Sequence, residues 1–467
     1  MKHGRVFYSL QKMPIQQATN NLTPTGNVDL GPSTSVALLG TPSSGRSTIF
    51  GRLQNTYRLK DLLFRATQEG RSESFHADLP YMYLHQYHAR SLTCLSLKID
   101  VRVNNLNEDG VYRVVGHGGD RELCVNEVRD CNRLKDVVRS LFMSDVVVIV
   151  LEKSSFEQYG EMVNELIKCS QVTGIKHVIV CLNKILKENV EELTGITRKK
   201  LVKHGVKKFD IIPTDGLSDY KITRKCDENI IPYKGHTLLD CIMSAPEFDQ
   251  KSTTSKPLRI PLLKIHKVMG VGTVVDGRIQ SGTIKPGDLV TLGQKQTGVM
   301  ITSEVKSVER YWDDTYEGLP GVFVGIQVKG CSVSQVSKGF VLSHASKDTL
   351  LPALWFEAKV KIISTPKNGL RLSMIPTVYC QHERAVCKIE EIMSIIDRKT
   401  LEPIEGDTLV VKEGQFIHLR LLPRTMIMVE RFTDNEKLGR IILGHNNKVI
   451  AAGMVTLVKH ATNHWNN

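Results

Sequence analysis

The hydrophobic pattern of this chain changes character near its middle. Between Ser35 and Met243, short apolar runs alternate with stretches of helical spacing. "SVALLG", "SLTCLSLKIDVRV", "VYRVVG", "SDVVVIVLE", "KHVIVCLNK" and "FDIIPTD" are rich in β-formers and of strand length. Several are continuously apolar, the pattern of a strand buried on both faces. Between two of them, "YGEMVNELIKCSQVTG" puts Met162, Leu166, Ile167 and Ser170 on one side of a helix and closes on glycine. Strand–helix alternation of this kind predicts a parallel α/β sheet.

"DQKSTTSKP" (Asp249–Pro257) reads as a linker by composition, and the rhythm changes after it. "LRIPLLKIHKVMGVGTVVDGRIQSGTIKPGDLVTL" is a series of short strands separated by Gly/Pro turns, the pattern of an antiparallel barrel. A second break at "HASKDTLLPAL" precedes another β-rich run, Trp355–His460. The expected architecture is an α/β domain over residues 34–250, followed by β-barrels over 257–345 and 352–460. Residues 1–33, with the turn-forming "NNLTPTGNVDLGPST", and residues 461–467 are expected to be tails.

Composition adds bounds. With 41% hydrophobic and 24% charged residues, the chain has the make-up of a soluble globular protein. No apolar stretch approaches the ~18–20 residues that cross a bilayer, and the basic start lacks the apolar core of a secretory signal, so a cytoplasmic location is expected. The ten cysteines are scattered without a CxxC, which suits reduced thiols better than a disulfide framework. Cys380, His382 and Cys387 are the one local cluster, and their spacing fits no standard zinc module. Lys plus Arg number 62 against 49 acidic residues, a net charge of +13 that biases the chain toward phosphate-rich partners such as RNA. No dense Lys/Arg run marks a contact face, so solvated surface charge is an equal reading.

The first candidate chemistry is "GTPSSGRST", Gly40–Thr48, between a predicted strand and a predicted helix. GxxxxGK[ST] binds phosphate because its glycines let backbone N–H groups wrap the oxygens, its lysine neutralises them, and its Ser/Thr holds Mg²⁺. Gly40, Ser43, Ser44, Gly45, Ser47 and Thr48 suit that cradle, but the lysine position is Arg46. Arginine keeps the charge in a longer planar fork, which is not a neutral exchange in a tight site. By itself the loop is open to two readings, a phosphate site or an ordinary strand–helix turn.

Longer collinear runs then resemble the translational GTPases, and elongation factor 1-alpha in particular, across roughly residues 34–460. "GVGTVVDGRIQSGTIKPGDLV" resembles that family's second domain, as does "PGVFVGIQVKGCSVSQVSKGFVL". "YCQHERAVCKIEEIMSIIDRKTLEPIE" resembles its third. The resemblance implies GTP with Mg²⁺ as cofactor, aminoacyl-tRNA and the ribosome as partners, a guanine-nucleotide exchange factor, no membrane, and a monomer.

Carried over position by position, the nucleotide motifs are incomplete. "RSLTCL" puts Thr93 at the family's Mg²⁺-ligating threonine, beside Ser47 of the loop. "RVVGH" matches the second switch, with Gly116 where an amide meets the γ-phosphate and His117 as the catalytic group that positions water, but with Arg113 at the leading aspartate. "NKIL" keeps Asn183 and Lys184 for the base and has Leu186 where a carboxylate reads guanine, while "TDGL" brings Asp215 to the late serine position. Two functions are therefore expected in competition. One is a GTPase that delivers aminoacyl-tRNA; the other is a pseudo-GTPase that keeps the three-domain shape as a ribosome- or RNA-binding regulator.

Overall fold

The computed structural model describes residues 33–53, 104–106, 111–118, 121–223, 233–295, 298–310, 313–345, 348–365, 372, 374–396, 403–404 and 411–461. Seven strands form the first sheet: β1 (Ser33–Gly40), β2 (Asn104–Leu106), β3 (Val111–Gly118), β4 (Arg121–Val128), β5 (Val146–Leu151), β6 (His177–Asn183) and β7 (Phe209–Thr214). Their spatial order is β2-β3-β4-β1-β5-β6-β7. Five run parallel, from β4 to β7 through β1. β2 and β3 add an antiparallel edge, so "VYRVVG" belongs to a hairpin with β4 and not to the parallel set.

Among the described residues, the helices of this domain are α1 (46–53), α2 (Leu134–Phe142), α3 (Lys153–Glu157), α4 (Gly160–Val172), α5 (Val190–Lys203), α6 (Leu238–Met243) and α7 (Gln250–Thr254). Period-2 alternation along each strand sends side chains to both faces. Val146, Val148 and Val150 pack with Ile49 and Leu53 of α1 and Leu238 of α6. Val147, Ile149 and Leu151 pack with α2, α4 and α5 through Val138, Leu166 and Leu193. This two-sided burial is why β5 is a continuous apolar run.

The expected linker contains a short helix. In α7 the Asp249 side chain accepts from Ser252 N, capping the first turn, and Gly282 N donates to Thr253 O of the same segment. Capping residues read as loop formers by composition here start a helix instead.

Two closed antiparallel barrels follow. In the first, strands Leu289–Gly293, Val341–His344, Ile260–Val268, Gly272–Arg278, Phe323–Val328 and Met300–Arg310 pair in that order, and the last returns to the first. In the second the ring is Thr377–Cys380, Arg440–His445, Lys448–His460, Ala353–Ile362, Phe416–Pro423 and Glu383–Ile396, closed the same way. The barrels share one continuous core, with Ile260, Val341 and Phe340 of the first and Phe356, Met428 and Leu438 of the second. The α/β domain docks on the second barrel through α2 and α4: Leu134 N donates to Asn447 Oδ1 at 2.8 Å, and Tyr379, Ile442 and Val449 join the core behind the sheet.

Candidate functional site

The phosphate-loop sequence leaves β1 and enters α1 as a strand–loop–helix turn. Ser43 (φ +60°) and Gly45 (φ +85°) take left-handed backbone, and a Cβ at Gly45 would stand 2.2 Å from Asn183 Nδ2. The tight approach of the β6 end to the loop therefore needs glycine there. Asn183 Nδ2 donates to Ser44 O at 2.7 Å while its Oδ1 accepts from Gly216 N at 2.9 Å. Lys184 Nζ donates to Ser43 O and to Glu152 Oε2, the latter at 3.1 Å. Gly40, Ser43, Ser44, Gly45, Thr48, Asn183 and Lys184 thus come together at the C-terminal end of the parallel strands.

The Arg46 guanidinium is tied to the end of β4 and to Gly40 at the base of the loop. Its Nε donates to Glu127 Oε1 at 3.1 Å, its Nη1 to Gly40 O at 3.2 Å and Cys131 Sγ at 3.1 Å, and its Nη2 to Arg129 O at 2.8 Å. Both side chains of the ion pair are largely buried, at 14% and 5% exposure. Ser47 Oγ donates to the same Glu127 oxygen at 2.5 Å. Burial raises the Cys131 thiol above its usual range, partly offset by the adjacent guanidinium.

Asp215 lies just past β7, but its carboxylate is spent on its own turn, accepting from Leu217 N, Ser218 N and Ser218 Oγ. Leu186 is 69% exposed beyond β6 and offers no acceptor for a base. Thr93 lies outside the described residues.

The structure overturns the placement of Arg113, Gly116 and His117. All three belong to β3, which is separated from β1 by β4. The register aligns His117 with Glu122, and Glu122 with Ser33, at the opposite end of β1 from Gly40. His117 is therefore seven strand residues of about 3.3 Å each, roughly 23 Å, along the sheet from Gly40, and Gly116 is level with Thr34, so the site does not include Gly116 or His117; Arg113 is level with Ala37 but set off from β1 by β4. On that side of β1 the adjacent parallel strand is β4, whose C-terminal end carries Glu127 and leads into Arg129 and Asp130. Glu127 is the acidic residue that faces Ser47, and the sequence reading missed it because no glycine follows it to complete the motif.

Fit to a nucleotide is partial. The backbone arch suits a phosphate, and Ser44 Oγ within it is buried without a hydrogen-bond partner. Ser47 with Glu127 is a hydroxyl–carboxylate pair suited to a hydrated divalent ion, although Arg46 shares that carboxylate. Leu186 offers no carboxylate where the sequence resemblance expects a guanine-reading group. Among the described residues no group of three or more His, Cys, Asp or Glu could hold a metal by itself, and no helix is long and apolar enough to cross a membrane.

Residues 355–456 match the family model described as GTP-eEF1A C-terminal domain-like, and residues 272–343 match elongation factor Tu domain 2. Elongation factor 1-alpha of Euglena gracilis is 29% identical over 346 residues, 71% of this chain and 75% of its own length. That of Blastocystis hominis is 29% identical over 338 residues, 69% and 76% of the two chains. Translation elongation factor SelB from Methanococcus maripaludis superposes in its apo form with a TM-score of 0.62 at 18% identity, over 92% of this chain and 80% of that one. Its complex with the GTP analogue GppNHp gives 0.64 at 16%, with the same coverage. At such identities these two structures speak to the fold alone. A mostly parallel sheet with a strand–loop–helix turn, followed by two closed barrels, is the architecture this chain shares with those translation elongation factors. In sequence, this chain is similar to the elongation factor 1-alpha family over about 70% of its length.

Proposed function

We propose that this chain is a translation-linked RNA-binding protein on the elongation-factor scaffold, a pseudo-GTPase with little or no GTP hydrolysis. The observation that carries this reading is Arg46. The guanidinium that would neutralise phosphate is committed to Glu127, Cys131 and two backbone carbonyls, so the loop's charge is satisfied from within the protein. A nucleotide entering the loop would have to displace this network, at the cost of about 1–3 kcal/mol for each charged bond left unmade. Residues 40–48 would hold any phosphate, and Ser47 with Glu127 a hydrated Mg²⁺; GTP when bound would supply the charge that orders the surrounding loops. The partners in this reading are aminoacyl-tRNA and the ribosome, reached by a monomer in the cytoplasm, and the +13 net charge supports polyanion binding.

A second reading, delivery of aminoacyl-tRNA by a working GTPase with an exchange factor, draws support from the placement of Glu127 beside Ser47. Ribosome co-sedimentation and tRNA binding, run over a salt series with GTP, GDP and no nucleotide, separate the two. The pseudo-GTPase reading expects salt-dependent binding that changes less than about threefold between nucleotide states, since a ligand without differential contacts shifts no equilibrium. A gain of tenfold or more with GTP over GDP would establish the delivery reading. Absence of binding at low salt would remove both.

A further inference from the structure

The strongest unassigned feature is on α5 and the turn after it. Residues 198–208 hold six cations in eleven positions: Arg198, Lys199, Lys200, Lys203, Lys207 and Lys208. In the sequence this cluster is broken up by Leu201, Val202 and Val206. The helix resolves the mixture, sending Leu201 and Val206 into the core behind the sheet. Arg198, Lys199, Lys203, Lys207 and Lys208 are left exposed on the outside. Lys199 and Lys203 stand at i, i+4, a like-charge spacing that weakens a helix locally.

None of these six side chains forms an ion pair among the described residues. The nearby acids are engaged elsewhere: Asp210 bonds His177 at 2.6 Å, and Glu165 pairs with Lys168 at 2.8 Å. Glu191 and Glu192 lie in the first turn of α5, at the far end of the helix. His204, at the helix end, is held below the usual histidine range by burial and by Lys168, Lys203 and Lys200, which fits a positive local field. Lys200 donates to Asn164 Oδ1 at 2.9 Å, and Arg198 lies over the Phe209 ring at 5.7 Å, so the N-terminal part of the cluster is anchored.

We infer that this face of α5 and its following turn is a docking surface for the phosphate backbone of double-stranded RNA. Uncompensated point charges suit phosphates, which carry affinity without reading sequence. No aromatic side chain is exposed on residues 198–208 to stack unpaired bases, which disfavours a single strand. Val202 is the one large apolar side chain exposed there, too little for the buried apolar anchor of a protein partner. The inference rests on the RNA-binding reading above and locates part of the contact on the α/β domain.

The test uses the full chain and a 20-base-pair RNA duplex of arbitrary sequence, titrated from 50 to 200 mM salt. Replacing Lys199, Lys203, Lys207 and Lys208 by Gln is expected to weaken binding at least tenfold at low salt and to flatten the log–log salt slope by about 3. The same four replaced by Arg should bind like the parent. A control with Lys359, Lys361, Lys388 and Lys412 replaced by Gln loses the same net charge from the second barrel. Equal losses in the control would overturn the inference as a net-charge effect. A parent that binds RNA while the α5 variant binds equally well overturns the surface and leaves the proposed function standing. A parent that binds no RNA overturns both. Tighter capture of polyglutamate than of duplex by the α5 lysines would replace RNA with an acidic protein.

Discussion

Arg278 Nη2 lies 2.6 Å from Asp145 Oδ2, joining the first barrel to the turn that precedes β5. The arginine is fully buried, donates also to Met143 O and Gly321 O at 2.9 Å, and lies over the rings of Phe248 at 5.1 Å and Phe323 at 5.5 Å. Asp145 in turn accepts from Ser35 N, at the start of β1. A planar fork with fixed donors suits this site, whereas a lysine could not serve three acceptors in one plane.

Removing one partner strands a buried charge. Arg278→Met is expected to cost about 3–5 kcal/mol of stability, and pairing it with Asp145→Asn should recover a large part of that loss. Urea unfolding of the two singles and the double measures the coupling. A single variant that loses less than about 1 kcal/mol would show that the pair does not hold the domains together.

Arg46→Lys tests the tied-back loop. A lysine restores the phosphate-loop motif and cannot reproduce the forked bonds to Glu127, Cys131 and Arg129. The expected outcome is a lower melting temperature without ligand, together with a nucleotide-induced rise that the parent lacks. Thermal shift with and without GTP reads both effects. Unchanged melting with no response to nucleotide would mean that the Arg46 network neither stabilises the loop nor blocks it.

Much of the fold was legible because burial writes itself into periodicity. β5, "VVVIVL", is buried along its whole length and read as a parallel strand. Glu383–Ile396 alternates buried and exposed over its first eight residues and read as a barrel strand. The site was less legible because adjacency in a sheet is not a local property. "RVVGH" matched a motif by its Gly-His pair, yet two glycines follow the His in the sequence, a turn signal, and the run pairs antiparallel with β4. Glu127 carries no motif of its own and becomes visible only when β4 is seen beside β1.

The cysteines give a prediction on reactivity. Burial pushes the thiols of Cys169, Cys181, Cys380 and Cys387 well above the usual range, and that of Cys241 up to about 12. A raised pKa lowers the thiolate fraction at any given pH, tenfold per unit. At pH 8 iodoacetamide should modify the partly exposed Cys331 before any of these five. Raising the pH to about 9.5 should speed Cys331 strongly, while the buried thiols stay limited by opening of the fold. Labelling of Cys181 or Cys380 in the native protein at a rate like that of Cys331 would contradict the burial.

The last prediction concerns the base. Asn183 and Lys184 are present, but both bind the phosphate loop through Ser44 O and Ser43 O, and Leu186 supplies no carboxylate for the two N–H groups of guanine. A site built on polar contacts can reach about 10⁴-fold discrimination, and this one should fall far short between GTP and ATP. Leu186 is exposed, so Leu186→Asp should fold without penalty while adding an acceptor where the base would lie. A charged hydrogen bond is worth about 1.5–3 kcal/mol, or roughly a 10- to 100-fold gain in preference for GTP. Equilibrium titration of parent and variant with labelled GTP and ATP decides the matter. Strong GTP preference in the parent would show that guanine is read by groups other than those named here. A variant that stays indifferent would show that Asn183 and Lys184, laced to the loop, no longer frame a base.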